Sequence, residues 1–137
     1  GVNMLAVAGW YRVKLSYTEA DHQRALADWL DAIGVLWFHP PNGGFRHARV
    51  AAKLKGEGVK AGVPDVWICT PPPNVPDAPG CVIELKRKKG GRLSSHQRRW
   101  LDELAILGWM VFVSHGHTPA IEWLQGLGYG GRIDGSR

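Results

Sequence analysis

An aspartate at 65, a glutamate at 84 and a lysine at 86 are residue types that hydrolysis at a phosphate ester needs, and their spacing lets them meet. Two carboxylates offer the oxygen ligands that Mg²⁺ or Mn²⁺ takes, and Mg²⁺ usually keeps waters and shares a substrate phosphate. A lysine beside such an ion can position the attacking water or offset charge gathering on phosphorus. Glu84 and Lys86 lie in CVIELK, residues 81–86, which reads as a short buried strand. Side chains alternate along a strand, so Cys81, Ile83 and Leu85 share one face, and Val82, Glu84 and Lys86 share the other. Same-face neighbours stand roughly 7 Å apart. That is far for a direct pair between the stems, yet two long side chains can converge on one ligand. Asp65 directly precedes VWIC, a second strand candidate at 66–69. If the two strands form a hairpin, Asp65 arrives at the end where Glu84 and Lys86 emerge. The same residues also fit a plainer reading, an exposed turn aspartate plus an ion pair of little energetic weight.

Positioning these side chains falls to elements that the hydrophobic pattern marks out. A helix is expected over about residues 18–33, with His22, Ala25, Leu26, Trp29, Leu30 and Ile33 as its apolar stripe and Gly34 as its C-terminal cap. Ser16 with Glu19, or Thr18 with Asp21, supplies the capping box. A strand at 35–39, a turn at PPNGG (40–44) and a short basic helix over 45–55 come next. After CVIELK, Ser94 fits an N-cap and Gln97 the third helical position, with Trp100, Leu101, Leu104, Ala105 and Leu107 as the stripe and Gly108 as the stop. WMVFV at 109–113 is a further strand, Thr118-Pro119 starts a last short helix, and the Gly-rich stretch from 126 onward reads as a loose tail. The order helix, strand, helix, strand, strand, helix, strand, helix gives a mixed sheet flanked by helices, an α/β or α+β single domain over 1–137 with its core at about 16–125.

At 137 residues the chain is long enough to bury a core without metal or disulfide staples. Cys69 and Cys81 fall on opposite parities of neighbouring strands, so reduced thiols and an intracellular setting are expected. The opening GVNMLAVAGW is mildly apolar but lacks the basic start and the length of a signal peptide. No stretch approaches the roughly 18 apolar residues of a membrane span. The net charge is +5 and the pI about 9.5, with basic residues gathered over 46–60 and again over 86–99. Two basic clusters suit a polyanionic partner, most simply nucleic acid; a solvated basic surface is the plainer alternative. Trp37 and Trp100 are core candidates, and the pair His115 and His117 lacks further ligands for a metal.

Taken together and in order, GVPD at 62–65, CVIELK at 81–86 and LSSHQ at 93–97 resemble the PD-(D/E)XK nuclease superfamily, and in particular its VRR-NUC (virus-type replication-repair nuclease) domain. EADHQ at 19–23, FHPPNGG at 38–44 with Arg46, and GVKAGVPD at 58–65 extend the similarity, which runs from about 16 to 115. The resemblance implies a restriction-endonuclease-like fold and hydrolysis of a DNA phosphodiester with Mg²⁺, or Mn²⁺ in its place. It implies metal ligation by Asp65 and Glu84, a catalytic role for Lys86, and site roles for Glu19 and Gln97. Helical spacing puts Glu19 on the inward face of its helix, where a carboxylate is costly unless paired or metal-bound; a capping role with Ser16 explains it too. Gln97 is equally a helix cap, and Asn42 equally a turn residue. Contacts to DNA are expected from Asn42, Arg46, Lys53, Lys60, Arg87, Lys88, Lys89, Arg92 and Ser95. Small members of the family come largely from phages and bacteria and are thought to act as homodimers on branched DNA such as four-way (Holliday) junctions. The expected setting is therefore DNA repair or replication in the cytoplasm of a bacterium or phage-infected cell, with no membrane involved. A basic DNA-binding module without activity, and a sequence-specific restriction-type enzyme on the same core, are the alternatives.

Overall fold

The computed structural model describes residues 17–41, 47–87 and 90–131, together with the backbone of 4–7 and 11–14. Asn42, Arg46, Lys88 and Lys89, the turn at 42–44 and Ser16 lie outside the described residues.

The centre is a four-stranded mixed sheet. Its strands are β3 (Trp37–Phe38), β4 (Val66–Ile68), β5 (Cys81–Lys86) and β6 (Met110–His115), side by side in that order. Before them, β1 (Met4–Val7) and β2 (Tyr11–Lys14) pair antiparallel as a separate two-stranded sheet. β4 runs antiparallel to both of its neighbours, β3 and β5, and β5 and β6 run parallel. The parallel step needs a crossover, and α3 (Ser95–Ile106) supplies it. The other helices are α1 (Glu19–Ile33), α2 (Ala48–Gly56) and α4 (His117–Gly126).

Alternation divides the core in two. Val66, Ile68, Cys81, Ile83 and Leu85 face α1 and α4, where Leu26, Leu30, Ala120 and Leu124 complete a layer with no exposed surface to speak of. Each such leucine contributes about 2 kcal/mol by leaving water. On the opposite face, Val82 packs against Leu101 and Leu104 of α3, with Trp67, Trp109 and Val111 around it. α3 thus holds the sheet through Leu101 and Leu104, while Leu107 is 70% exposed because it already forms the helix C-cap, where the chain turns toward β6. Trp37 and Trp100 are half-buried, each giving its indole N–H to an oxygen (Asp31 Oδ1 and Ala61 O).

The loop between β4 and β5 re-enters the sheet at Gly80, where a Cβ would lie 2.1 Å from the Ile68 carbonyl oxygen, so only glycine fits. Residues 127–131 are not a loose tail. Tyr129 is buried in the main core, its hydroxyl donating to the Thr70 carbonyl at 2.6 Å, as a buried phenol requires. Both cysteines are free thiols. Among the described residues no helix is long and apolar enough to cross a membrane.

Candidate active site

The register Val66↔Ile83 places Asp65 opposite Glu84 at the end of the β4–β5 hairpin, on the same face as Val82 and Trp67. Asp65 is fixed at both its ends. Its Oδ2 accepts the backbone N–H of Leu85 at 2.8 Å, and His39 Nδ1 hydrogen-bonds its carbonyl oxygen. Pro64 behind it is buried and accepts the Trp67 indole N–H at 3.0 Å. The turn before it closes on α3 at Gly62, where φ is +80° and a Cβ would meet the His96 backbone at 2.6 Å. That close approach fixes the distance between the Asp65 turn and the first turn of α3.

Glu84 is 2% exposed, and its Oε1 has no hydrogen-bond partner. Burial above all, then hydrogen bonding and charge from Asp65, push its carboxyl up to about 9 from the usual 4.5; Lys86 opposes the rise and Glu19 adds to it. A buried acceptor left unsatisfied is a cost that most proteins avoid. Here it sits beside a second carboxylate, the donor set that a hard divalent cation takes.

Lys86 is half-buried and its Nζ donates to Gln97 Oε1 at 2.8 Å. The same Oε1 accepts the Ser94 backbone N–H at 2.9 Å, while Ser94 Oγ accepts the N–H of Gln97 at 3.1 Å. Gln97 is therefore cap and lysine anchor at once, so neither reading of this residue excludes the other. On α1 the capping box is Thr18 with Asp21, not Ser16 with Glu19, so the Glu19 carboxylate is not committed to the cap. Glu19 is exposed rather than buried, because the face it shares opens in the first turn onto a cavity of about 770 Å³ instead of onto the core. Asp65 and Gln97 line the same cavity. Among the described residues no three of His, Cys, Asp and Glu come together as a metal-binding group, so the acidic pair stands with Glu19 at the rim.

Two features were not anticipated. His39 lines the cavity while hydrogen-bonded to the Asp65 carbonyl, and Gln23 and Arg24 of α1 face it as well. The α1 residues were legible as the helical series 19, 23 and 27 flanking the apolar stripe. His115 and His117 do not form a loop pair. His115 ends β6 beside Lys86, whereas His117 begins α4, its Nδ1 lying 2.8 Å from Nδ1 of the buried His22. Lys53, Lys60, Arg87, Arg92 and Ser95 are all exposed, Ser95 as the first residue of α3.

An aspartate facing the glutamate of an ExK strand, on a mixed sheet flanked by helices, is the arrangement that the resemblance to PD-(D/E)XK nucleases implies. Comparison with known proteins narrows it. The sequence profile of the VRR-NUC domain matches residues 17–118, and the chain belongs to that family of nuclease domains. A solved structure described as a "VRR_NUC domain protein" is similar at a TM-score of 0.67 and 25% identity, over 82% of this chain and 88% of that one. A search among curated proteins found no match.

Proposed function

We propose that the chain is a divalent-metal-dependent endodeoxyribonuclease acting on branched DNA such as four-way junctions. The observation that carries this reading is the buried Glu84 carboxylate, with an oxygen no hydrogen reaches, set against Asp65 and next to a lysine already held in place. Asp65 and Glu84 would hold Mg²⁺ or Mn²⁺, with Glu19 available from the rim of the cavity. Such an ion, when bound, neutralises phosphate charge and makes water a better nucleophile. Lys86, hydrogen-bonded to Gln97, would orient the water for in-line attack and face the charge that builds as the new P–O bond forms and the P–O bond to the leaving strand breaks. Burial favours the protonated form of Glu84, and a cation held there would compete with that proton.

DNA would be held by phosphate contacts from Lys53, Lys60, Arg87, Arg92 and Ser95, with Asn42, Arg46, Lys88 and Lys89 assigned to the same role. Such contacts position a duplex without reading its sequence. One site per chain suits a homodimer when two strands must be cut. The test is cleavage of a labelled four-way junction with Mg²⁺ or Mn²⁺ against EDTA, by the wild type and by Lys86→Ala. Metal-dependent cutting that Lys86→Ala loses while binding survives supports the reading. Binding without cutting in the wild type would favour an inert module. Discrete cuts in linear duplex would favour a restriction-type enzyme.

A further inference from the structure

A second hollow, about 590 Å³ in volume, lies between α2 and α3. None of the residues of α2 is buried. Its Leu54, with Val59 just beyond the helix, faces the half-buried Trp100 of α3 across the gap. An amphipathic helix whose apolar face meets a groove rather than a core leaves that face for a further occupant. The rim is basic. Lys55, Lys60 and Arg99 stand there against a single acid, Glu103, which Arg99 already holds at 3.0 Å.

An apolar floor with an aromatic ring, under a basic rim, matches an unpaired nucleic-acid strand: bases below, phosphates above. Paired DNA hides its bases and would leave the floor uncovered. A second copy of this chain, at a net charge of +5, would set basic surface against basic surface.

The groove also adjoins the acidic site. Ala61 and His96 face the groove, and their chain neighbours Gly62 and Gln97 face the other cavity. The two hollows are therefore separated by a wall one residue thick on each side, sealed by the Gly62 approach to His96. Consecutive nucleotides are spaced by only about 3.4 Å along a stacked strand, so a strand crossing that wall has near neighbours on both sides. Resting on the nuclease reading of the neighbouring cavity, we propose that the α2–α3 groove binds unpaired nucleotides next to the cleaved phosphate, directing the enzyme to points where a strand leaves its duplex.

The probe is a splayed-arm DNA with 2-aminopurine at the first unpaired nucleotide, measured in EDTA so that binding is read without cleavage. Wild-type protein is expected to change its fluorescence, and to leave unchanged the signal of the same label placed deep in the duplex. Ala51→Glu puts a carboxylate into the groove from an exposed helical position, where the fold is least at risk. It should raise Kd for the splayed arm by about tenfold and abolish the signal, the scale of one lost base contact. The loss on a blunt duplex of equal length should be several-fold smaller. An unchanged Kd and signal in Ala51→Glu, or an equal loss on both DNAs, would overturn the proposal. So would a change in sedimentation with DNA binding intact, which would make the groove a contact between copies. Wild-type protein that cuts DNA but gives no signal overturns the groove alone; protein that gives the signal but cuts nothing in Mg²⁺ overturns the nuclease reading and keeps the groove as a single-strand site.

Discussion

Val82 and Glu84 stand two residues apart on one face of β5, both shut off from water, in opposite surroundings. Val82 lies under Leu101 and Leu104. Glu84 lies beside Asp65 with an oxygen that nothing satisfies. Burial stabilises the first residue and costs free energy at the second. The difference follows from where α3 sits. The middle of that helix covers one end of the strand with hydrocarbon, and its first turn borders the other end through Gln97 without filling it. One helix therefore clamps the sheet and frames the site.

The contrast breaks most sharply at the acids. Asp65→Ala and Glu84→Ala should each slow metal-dependent cleavage by about 10³-fold or more, given several kcal/mol from a correctly held cation. Single-turnover rates on a labelled junction read the loss. Lys86→Ala should cost about 10²–10³-fold, the usual scale for one charged group facing the transition state. Gln97→Ala should lower kcat by about 10–100-fold through a mispositioned lysine, and should also lower stability by about 1 kcal/mol through the lost cap. Urea unfolding separates the two effects. At the hydrocarbon end, Val82→Ala should cost about 2 kcal/mol of stability with the rate per folded molecule preserved.

The remaining effect is on pH dependence, and its sign is set by Glu84. Its carboxyl is pushed up to about 9 in the folded protein against 4.5 when unfolded, so between these values the folded state binds the extra proton. Stability is therefore full below the unfolded value, falls as pH rises through this window and levels off above it. Glu84→Gln should flatten that slope in thermal melts without metal, and be the more stable protein at pH 9. A wild-type melt that rises steadily from pH 5 to 9 in parallel with Glu84→Gln would show that Glu84 is not the buried, protonated group described.

Much of this was legible in the residues. Alternation placed Glu84 and Lys86 together, and an antiparallel hairpin then brought Asp65 opposite, because both are short-range rules of strand geometry. What escaped depended on distant partners. Helical spacing said which face Glu19 shares but not that the space before it is open. The pairing of β1 with β2 joins two short strands that, among the described residues, have no partner in the main sheet. Tyr129 looked like part of a glycine-rich tail, since nothing local announces a phenol seated on Thr70. His115 read as loop because its strand is completed by register with Lys86, far away in sequence.

If Asp65 and Glu84 form the seat of a divalent cation, Mn²⁺ binding reveals it without reference to any DNA. Free Mn²⁺ is followed by electron paramagnetic resonance as it is titrated into the wild type, Asp65→Asn and Glu84→Gln at pH 7, with circular dichroism confirming the fold of each. The wild type is expected to take up Mn²⁺, more tightly as pH rises toward 9, and both variants to lose that uptake. Equal uptake by Glu84→Gln, or uptake indifferent to pH, would contradict it.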